Sequence, residues 1–441
     1  MSFSALDSTV TGPLFATPAM AGVFSDRARI AAMLRMEAAL ARTQGLAELA
    51  AAIDAIALDD FDMNALGRET AVVGVPVIPF VKAVQARLPG ELERAFHRGA
   101  TTQDVADTAL VLQMRDAFDL IRMDLLAILD GLMRLAERHR ETPCVGRTYG
   151  QHAAPVTFGF KAAVWLTGIA DVAGQLPRLR ERVLVASLGG PVGTLAAFGA
   201  RGPEVVEAFA RELGLGATPI AWHTNRARMV ETGAWLATLI GALAKMAADV
   251  AHLVSTEVGE LAEPYMPGRG GSSAMPHKRN PVSATVILAA HAAAKGPVTT
   301  LLDAMGAAHE RPAGLWHAEW HALPPLFGLA SGALREARVL AEGLEVDTAR
   351  MRANIDATRG LLFADAAAAR LAPSLGREAA HRLVEEAAGE VRSGGRSLQA
   401  VLHERSAVAL DDAFDLTPAV GAAALWTDRS LGHVREVRAR L

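Results

Sequence analysis

The chain has 441 residues, and 51% are hydrophobic although only 5% are aromatic, so alanine- and leucine-rich stretches dominate and helices are favoured. Its 44 basic and 48 acidic residues are spread along the chain and give a formal net charge of −4, which argues against binding to nucleic acid. Cys144 is the only cysteine, which excludes an internal disulfide and thiolate-rich zinc or iron–sulfur sites.

The first residues, MSFSALDSTVTG, have neither the basic nor the apolar region of a signal peptide, so we expect a cytoplasmic protein. The most apolar long stretch, 229 to 254, carries Glu231, Lys245 and Asp249, which are too many charges for a helix that faces lipid. We therefore predict no membrane span and attribute the positive mean hydropathy to contacts between subunits.

Two segments place apolar residues in alternating steps of three and four, the 3.5-residue period of packed helical bundles. The first follows a candidate cap at 101 to 104, the second begins near Asn225, and we predict a helix of more than thirty residues for each. The apolar positions are Val111, Met114, Phe118, Ile121, Leu125, Ile128, Leu132 and Leu135 in the first segment, and Leu236, Leu239, Leu243, Met246, Val250 and Leu253 in the second.

Further helices are predicted for 157 to 185, with a kink or break at Pro177, and for 281 to 308 and 325 to 354. Strand signals are sparse, because 72 to 79 contains two prolines and 189 to 193 is typical of a loop. The sequence therefore predicts an all-α protein. We place an N-terminal helical domain at 1–100, a central helix-bundle domain at 101–355 and a C-terminal helical domain at 356–441.

The stretch 268 to 281, GRGGSSAMPHKRNP, carries the strongest functional signal. Its three glycines permit backbone conformations closed to other residues, which predicts a mobile lid. The hydroxyls of Ser272 and Ser273 follow the glycines directly. Together with Lys278 and Asn280 they form a donor-rich set suited to a carboxylate or an enolate. Composition alone favours a solvated turn before a helix, so the order of residues decides between the two interpretations.

The stretch HRGATTQD, 97 to 104, lies just before the first long helix, where exposed N–H groups and the helix dipole attract anions. A carboxylate site there would use His97, Thr101, Thr102 and Gln103. Capping of the helix by one of the threonines is the commoner use of such residues, and both roles are compatible.

The stretch GRTYGQHAAP, 146 to 155, is predicted as a loop before the third helix. Arg147 could grip a carboxylate through two nitrogens, while Gln151 and His152 could donate hydrogen bonds or move a proton. In isolation this loop is equally compatible with a solvated surface turn.

The three stretches together resemble the active-site regions of the fumarase/aspartase superfamily, in the expected order. Residues 271 to 280 match its GSSxMPxKxN hallmark at every specified position. HRGATTQDVADTA and GRTYGQHA resemble the H-x-G-x-T-[ST]-x-D-x-x-D-T-A and G-R-T-H-G-x-H-A regions of the adenylosuccinate lyase branch. The resemblance implies a three-domain all-α fold with a central long-helix bundle, and a homotetramer whose active sites are shared between subunits.

One departure narrows the family, because Tyr149 stands where that branch has a histidine used for proton transfer. The bacterial 3-carboxy-cis,cis-muconate cycloisomerases also lack this histidine. Three more stretches are similar to theirs: VPVIPFVKAV (75 to 84), AWHTNRARMVE (221 to 231) and HERPAGLWHAEWHALP (309 to 324). The similarity runs from about residue 10 to 360.

This resemblance implies a small tricarboxylate substrate, 3-carboxy-cis,cis-muconate, and its lactonisation in protocatechuate breakdown. It assigns proton transfer to Ser272, carboxylate binding to Lys278 and Asn280, and a structural or anion-binding role to Arg147. Roles in binding or catalysis follow for the remaining matched residues. These are His97, Thr101, Thr102, Gln103, His152 and, with its role open, Tyr149; Gln151, Ser273 and Arg311 are further candidates.

No P-loop or dinucleotide fingerprint occurs, so no cofactor is expected. His317 and His321 are four residues apart, but Glu319 lies two residues after the first of them and would point away, so we expect no metal site there. Two alternatives remain open from the sequence. One is a lyase of the adenylosuccinate type that releases fumarate, and the other is a non-catalytic helical scaffold.

Overall fold

The structure is a computed structural model that describes residues 3–271, 274–275 and 277–441. Helices α1 to α11 are Gly12–Phe15, Pro18–Val23, Asp26–Thr43, Ala47–Asp54, Met63–Val73, Val77–Gln85, Gly90–Ala95, Thr102–Arg138, Phe158–Ala173, Leu176–Val183 and Gly202–Leu213. Helices α12 to α22 are Ala227–Leu253, Val282–Ala293, Lys295–Ala304, Leu315–Trp320, Leu323–Gly343, Thr348–Asp356, Ala364–Leu375, Arg377–Gly394, Leu398–Arg405, Leu416–Ala419 and Ala423–Arg440. The strands are β1 (Pro143–Thr148), β2 (Gln151–Thr157), β3 (Leu261–Ala262) and β4 (Glu345–Val346).

The chain forms two compact units, each assembled from three separate stretches. The first unit contains Met1–Asp124, Gln175–Gly241 and Ala289–Arg335. The second contains Leu125–Gly174, Ala242–Leu288 and Glu336–Leu441. The three-domain division at residues 100 and 355 stays a prediction.

The long helices follow the predicted apolar pattern. α8 has 37 residues, and its apolar positions are buried as far as Leu132, while Leu135 is half-buried. All six apolar positions of α12 are buried, but this helix has 27 residues instead of more than thirty. It starts late because the Asn225 N–H donates to the Trp222 carbonyl in a turn before it.

Each unit has an apolar core of its own. In the first unit, the Phe118 ring packs edge-on against Trp235 at 5.9 Å and Phe327 at 5.4 Å between centroids. In the second unit, Phe158 packs in the same way against Trp165. A further cluster joins helices α18 to α20, with Leu371, Val391, Leu398 and Leu402 among its buried members.

Prolines and glycines break the other predicted helices at several points. Pro177 lies in the first turn of α10, where its missing N–H costs nothing, so the predicted break is confirmed. The predicted helix 281 to 308 is wrong as one element, because Pro297 cannot donate to the Ala293 carbonyl and the chain divides into α13 and α14. The predicted helix 325 to 354 is also two helices, since α16 ends at Gly343 and Asp347 caps α17.

The prediction of a loop at 146 to 155 is wrong, because β1 and β2 pair as an antiparallel hairpin. Alternation of apolar and polar residues is weak here, and the register shifts between Gly146 and Arg147, so the period-two signal of a strand is broken. The stretch 72 to 79 is not a strand, as expected: α5 ends at Val73, Gly74 turns the chain with φ of 83°, and α6 begins at Val77.

Two stretches are long and apolar enough to cross a membrane by length and composition alone, Ala227–Leu253 and Val282–Ala304. Within one chain, 50% of the most apolar 18-residue window of the first stretch is buried, and 28% of that of the second. The first is explained by its place in the core, since its apolar seam packs inside the protein. The second leaves small apolar residues such as Ala289, Ala292 and Ala293 on the surface of one chain.

Candidate active site

The fully buried Asp104 carboxylate organises the N-terminus of α8. Its Oδ1 accepts hydrogen bonds from the Gly189 N–H at 2.8 Å and from His223 Nε2 at 2.6 Å. Its Oδ2 accepts from the N–H groups of Thr101 at 3.0 Å and Gly190 at 2.9 Å. The carboxylate thereby connects the loop at 189 to 193 to the start of α8. The prediction of a loop at these residues is confirmed. A negative side chain is also the favoured partner of a helix N-terminus.

Arg311 is the cation at this helix end. Its Nε donates to Gln103 Oε1 at 3.1 Å, and its Nη2 donates to Thr101 Oγ1 at 3.1 Å and to the Pro191 carbonyl at 3.3 Å. The residue is exposed, so its guanidinium adds positive potential to that of the helix dipole where solvent has access. Thr102, the first residue of α8, is half-buried beside it. The arrangement is suited to a carboxylate.

Gln103 is fully buried, whereas Thr101 and Thr102 before it are half-buried. Its amide nitrogen donates to Asp107 Oδ2 at 3.2 Å and to the His223 carbonyl at 2.8 Å, and its amide oxygen accepts from Arg311 Nε. These partners make Gln103 a support for the Arg311 guanidinium. Direct contact between Gln103 and a substrate stays a prediction.

His97 has a left-handed backbone, with φ of 57°, and its side chain is 20% exposed. Its Nδ1 donates to Oε1 of the buried Glu37 at 2.6 Å. Burial by itself would lower the pKa of His97, but the hydrogen bond and charge of Glu37, with the charge of Asp104, outweigh burial and raise this pKa above its ordinary value. The imidazole is therefore biased toward its charged form.

A fully buried network lies behind the helix end, and the sequence motifs gave only its parts. Arg226 donates to both Asp107 oxygens at 2.7 and 3.1 Å and to both Glu319 oxygens at 2.8 and 2.5 Å. Trp316 Nε1 donates to Asp107 Oδ1 at 3.1 Å, and the Trp222 ring lies 4.9 Å from the guanidinium. The two carboxylates outweigh burial and raise the pKa of Arg226, so it stays charged. In the sequence, this network was indicated only by the two segments 221 to 231 and 309 to 324, which contain its tryptophan, arginine and glutamate residues.

The WHAEWH segment forms α15 and its C-cap. Glu319 faces Arg226, whereas His317 donates through Nε2 to the Gly74 carbonyl at 3.1 Å and packs against Trp320 at 4.6 Å between ring centroids. Within the described ranges, no group of three or more His, Cys, Asp and Glu side chains is placed to hold a metal ion. The expectation of a metal-free enzyme stays a prediction.

The β1–β2 hairpin presents the second predicted region. Tyr149 and Gly150 are its two turn residues, both with positive φ, at 51° and 77°, as a type I′ turn requires. Tyr149 is fully exposed, and Gln151 and His152 are exposed beside it. Burial and the Arg147 charge lower the pKa of His152, against a weaker opposite effect of Glu260, which favours the neutral imidazole. A neutral imidazole is able to accept a proton.

Arg147 lies opposite His152, one residue pair before the turn of the hairpin, but its side chain binds a residue outside the hairpin. Its Nη1 and Nη2 donate to the two oxygens of the buried Glu260 at 3.0 and 2.5 Å. Asn354 donates to the same carboxylate at 2.8 Å. This geometry fits the structural role for Arg147. An anion-binding role stays a prediction without support from these contacts.

The lid stretch is closed at its base by backbone and ionic contacts. Gly271 and Arg279 form an antiparallel bridge, and the Asn280 N–H donates to the Gly270 carbonyl at 2.9 Å. Gly270 has φ of 68°, and a Cβ there would lie 2.6 Å from the Asn280 carbonyl oxygen, so another residue would not fit. Lys278 and Asn280 are exposed. Ser272 and Ser273 lie outside the described residues.

A salt bridge and a capping carboxylate hold the two ends of this stretch. Arg269 pairs with Glu336 and donates to Ser283 Oγ at 2.9 Å, while Ser283 Oγ donates to Glu336 at 2.8 Å. Glu263 accepts from the N–H groups of Ser283 and Ala284 at the start of α13. These contacts fix the described ends of the stretch, at Arg269 and at the start of α13.

The predicted site residues fall into two groups, one in each compact unit. His97, Thr101, Thr102, Gln103 and Arg311 belong to the first unit, and the hairpin and the lid belong to the second. Sequence reasoning did not identify Glu37, Asp104 or Asp107 as partners, because no motif spacing reveals which buried carboxylate meets which cation.

Comparison with known proteins decides the family. A family described as lyases matches residues 15–296. 3-Carboxy-cis,cis-muconate cycloisomerase of Pseudomonas putida is 47% identical over 405 residues, which is 88% of this chain and 94% of that protein. The chain belongs to the fumarase/aspartase superfamily.

Within the superfamily, the relatives catalyse more than one reaction. Nitrosuccinate lyase of Streptomyces davaonensis is 41% identical, covering 97% of this chain and 95% of the relative. The crystal structure of 3-carboxy-cis,cis-muconate lactonizing enzyme from Pseudomonas putida is 44% identical and superimposes with a TM-score of 0.92 over 96% of this chain and 98% of that one. The predicted all-α superfamily fold is thereby confirmed, and the chain is an enzyme.

Proposed function

We propose that this protein converts 3-carboxy-cis,cis-muconate to 4-carboxymuconolactone. The observation that carries the proposal is the 47% identity with a cycloisomerase of this name over 88% of the chain. Tyr149, in place of the histidine of the adenylosuccinate lyase branch, agrees with it.

The reaction is an isomerisation in which one substrate carboxylate adds to a double bond. A carbon–oxygen bond forms, electron density moves onto the adjacent carbon and its carboxylate, and a proton then reaches that carbon. The protein has to bind three carboxylates and stabilise the enolate-like state. Arg311 with the α8 N-terminus, and Lys278 in the lid, are cations available for these groups. We assign the proton transfer to Ser272 and keep Tyr149 and His152 as further candidates for a catalytic role.

A β-elimination is the second candidate, favoured by the 41% identity with nitrosuccinate lyase. Read in reverse, lactonisation is itself a β-elimination in which a carboxylate leaves. The same anion-binding groups therefore serve both reactions. The identity of the leaving group depends on the surroundings of the reacting carbon.

The proposal includes a cytoplasmic homotetramer with active sites shared between subunits. Two observations support the assembly. The Val282–Ala304 stretch is apolar and only 28% of its most apolar window is buried within one chain, and Leu302 and Met305 are 52% and 47% exposed. The hairpin tip carries Tyr149 with its whole side chain in solvent, which is the expected geometry for a residue that completes a site on another copy.

The deciding experiment incubates purified protein with 3-carboxy-cis,cis-muconate and follows loss of the diene absorbance, with product identification by NMR. Parallel incubations contain nitrosuccinate, monitored by nitrite release, and adenylosuccinate, monitored by fumarate formation. We expect lactone formation with kcat/KM at least a hundredfold above that of either elimination. Faster release of nitrite or fumarate would replace the proposal with the elimination, and inactivity toward all three would contradict both.

A further inference from the structure

Glu37 is a buried carboxylate for which the motifs give no explanation. It lies on α3 with 1% of its surface exposed, among the buried Met33, Met36 and Leu40. A carboxylate on such an apolar face is costly unless it is paired. Its one hydrogen bond among the described residues is to His97, and its Oε2 is buried without a partner. A poorly satisfied buried charge that persists in this way indicates a role beyond packing.

The backbone at His97 is also unusual. A φ of 57° is uncommon for a residue other than glycine and costs free energy that the surroundings have to supply. Gly99 follows with φ of 89°, where a Cβ would lie 2.3 Å from the Phe198 ring. The segment is thus held tightly in a conformation that brings the imidazole onto Glu37 and keeps it four residues before Thr101.

The hydrogen bond to Glu37 determines what the ring offers. Because Nδ1 carries its proton toward the carboxylate, Nε2 is the nitrogen left for another partner, and the tautomer and ring orientation are set. The charged groups that act on the ring are Glu37 on α3 and Asp104 on α8, both negative. Asp104 already receives four hydrogen bonds, so Glu37 is the carboxylate that supports a charge on His97.

We propose that Glu37 is a positioning residue that holds the His97 imidazolium with Nε2 outward, so that Nε2 donates a charged hydrogen bond to a substrate carboxylate. The inference rests on the proposed function, since it concerns one of the three carboxylates of that substrate. His97 and Arg311 then each supply a cation for a substrate carboxylate in the segment that leads into α8. Glu37 touches no substrate and acts only through His97.

The test compares Glu37→Gln, His97→Gln and the double variant with the wild type, in kcat and KM from about pH 6 to about pH 8. The glutamine amide oxygen still accepts from Nδ1, which preserves the ring orientation, but it cannot support the charge. At about pH 8 we expect Glu37→Gln to raise KM on the order of tenfold with a smaller effect on kcat, because the contact exists in both ground and transition states. Toward about pH 6, where a larger fraction of His97 is protonated, the increase in KM should become smaller.

The two other variants make the interpretation specific. His97→Gln should raise KM at every pH, and adding Glu37→Gln to it should have no further effect on KM. Asp54→Asn is the matched control. It removes a carboxylate that lies outside the site and pairs with Arg42, which is on α3 like Glu37, so it should leave KM unchanged. Thermal unfolding of each variant reports on folding.

The results that overturn the proposal differ from those that overturn the function. If the wild type does not convert 3-carboxymuconate, both fail. If it does, and Glu37→Gln has a normal KM or a loss that is equal at all pH values, the positioning role alone fails. Should Glu37→Gln not fold, the pH dependence of KM in His97→Gln decides: a KM that still rises with pH as in the wild type would refute the role of His97.

Discussion

Arg226 and Glu319 are 93 residues apart in sequence and form a two-point ion pair in the interior of the first unit, Nε to Oε1 at 2.8 Å and Nη2 to Oε2 at 2.5 Å. Asp107 binds the remaining side of the same guanidinium. One cation therefore satisfies two buried carboxylates, one of them on the helix whose first turn carries the candidate carboxylate site.

Removing this cation should destabilise the protein strongly. Arg226→Met leaves Asp107 and Glu319 buried without a counter-charge, and we expect a loss of about 3–5 kcal/mol in the free energy of unfolding. The control is Arg370→Met, which breaks an ion pair with Asp412 whose side chains are 45% and 66% exposed, and should cost less than about 1 kcal/mol. Urea unfolding measures both, and equal losses would contradict a special role for the network.

The lid should separate chemistry from binding. If Ser272 transfers the proton, Ser272→Ala should lower kcat and kcat/KM by similar factors, on the order of a hundredfold or more. Ser393→Ala, in an exposed turn of α19, is the matched control and should have no effect. A near-normal kcat in Ser272→Ala, together with loss of activity in His152→Asn or Tyr149→Phe, would move proton transfer to the hairpin.

Lys278 should behave as a binding group. Its charge meets a carboxylate that is present in both the ground and the transition state, so Lys278→Met should raise KM strongly. The effect on kcat should be smaller and limited to any stabilisation of the enolate. Steady-state kinetics over a wide range of substrate concentrations measures the split, and a loss confined to kcat would contradict it.

The lowered pKa of His152 predicts the acid side of the pH profile. Burial and Arg147 disfavour the charged imidazole, so His152 protonates at a lower pH than an ordinary histidine does. If catalysis needs the neutral ring, kcat should be constant near neutral pH and fall only at a pH below the ordinary histidine pKa, and His152→Gln should abolish that fall. Since the unfolded state binds this proton more readily, folding stability should also decrease as pH drops below about 6.5.

Chelation tests the expectation of a metal-free reaction. Proton transfer and anion binding by hydroxyls and organic cations need no metal, so prolonged treatment with EDTA should leave turnover unchanged. Activity that disappears and returns with added Zn²⁺ or Mn²⁺ would revive the hypothesis of a site at His317 and His321.

Assembly is testable by mixing two variants of impaired activity and assaying at a substrate concentration well below KM. We expect a tetramer in sedimentation at micromolar concentration. If sites are shared, subunits carrying His152→Asn and subunits carrying His97→Gln should regain part of the activity when unfolded together and refolded, because some mixed sites contain both wild-type residues. An active monomer, or no recovery from refolded mixtures that assemble normally, would contradict shared sites.

The sequence by itself determined the helical class, the long helices α8 and α12, the superfamily and the motif regions, because apolar periodicity and motif order are local properties of the chain. It misjudged 146 to 155, since a bulged hairpin with Tyr149 in a type I′ turn lacks the alternation that identifies strands. Only the tertiary structure decided that Glu37 meets His97 and that Arg226 joins Asp107 to Glu319. Which charges share a buried site depends on how distant segments pack, and no spacing along the chain encodes that distance.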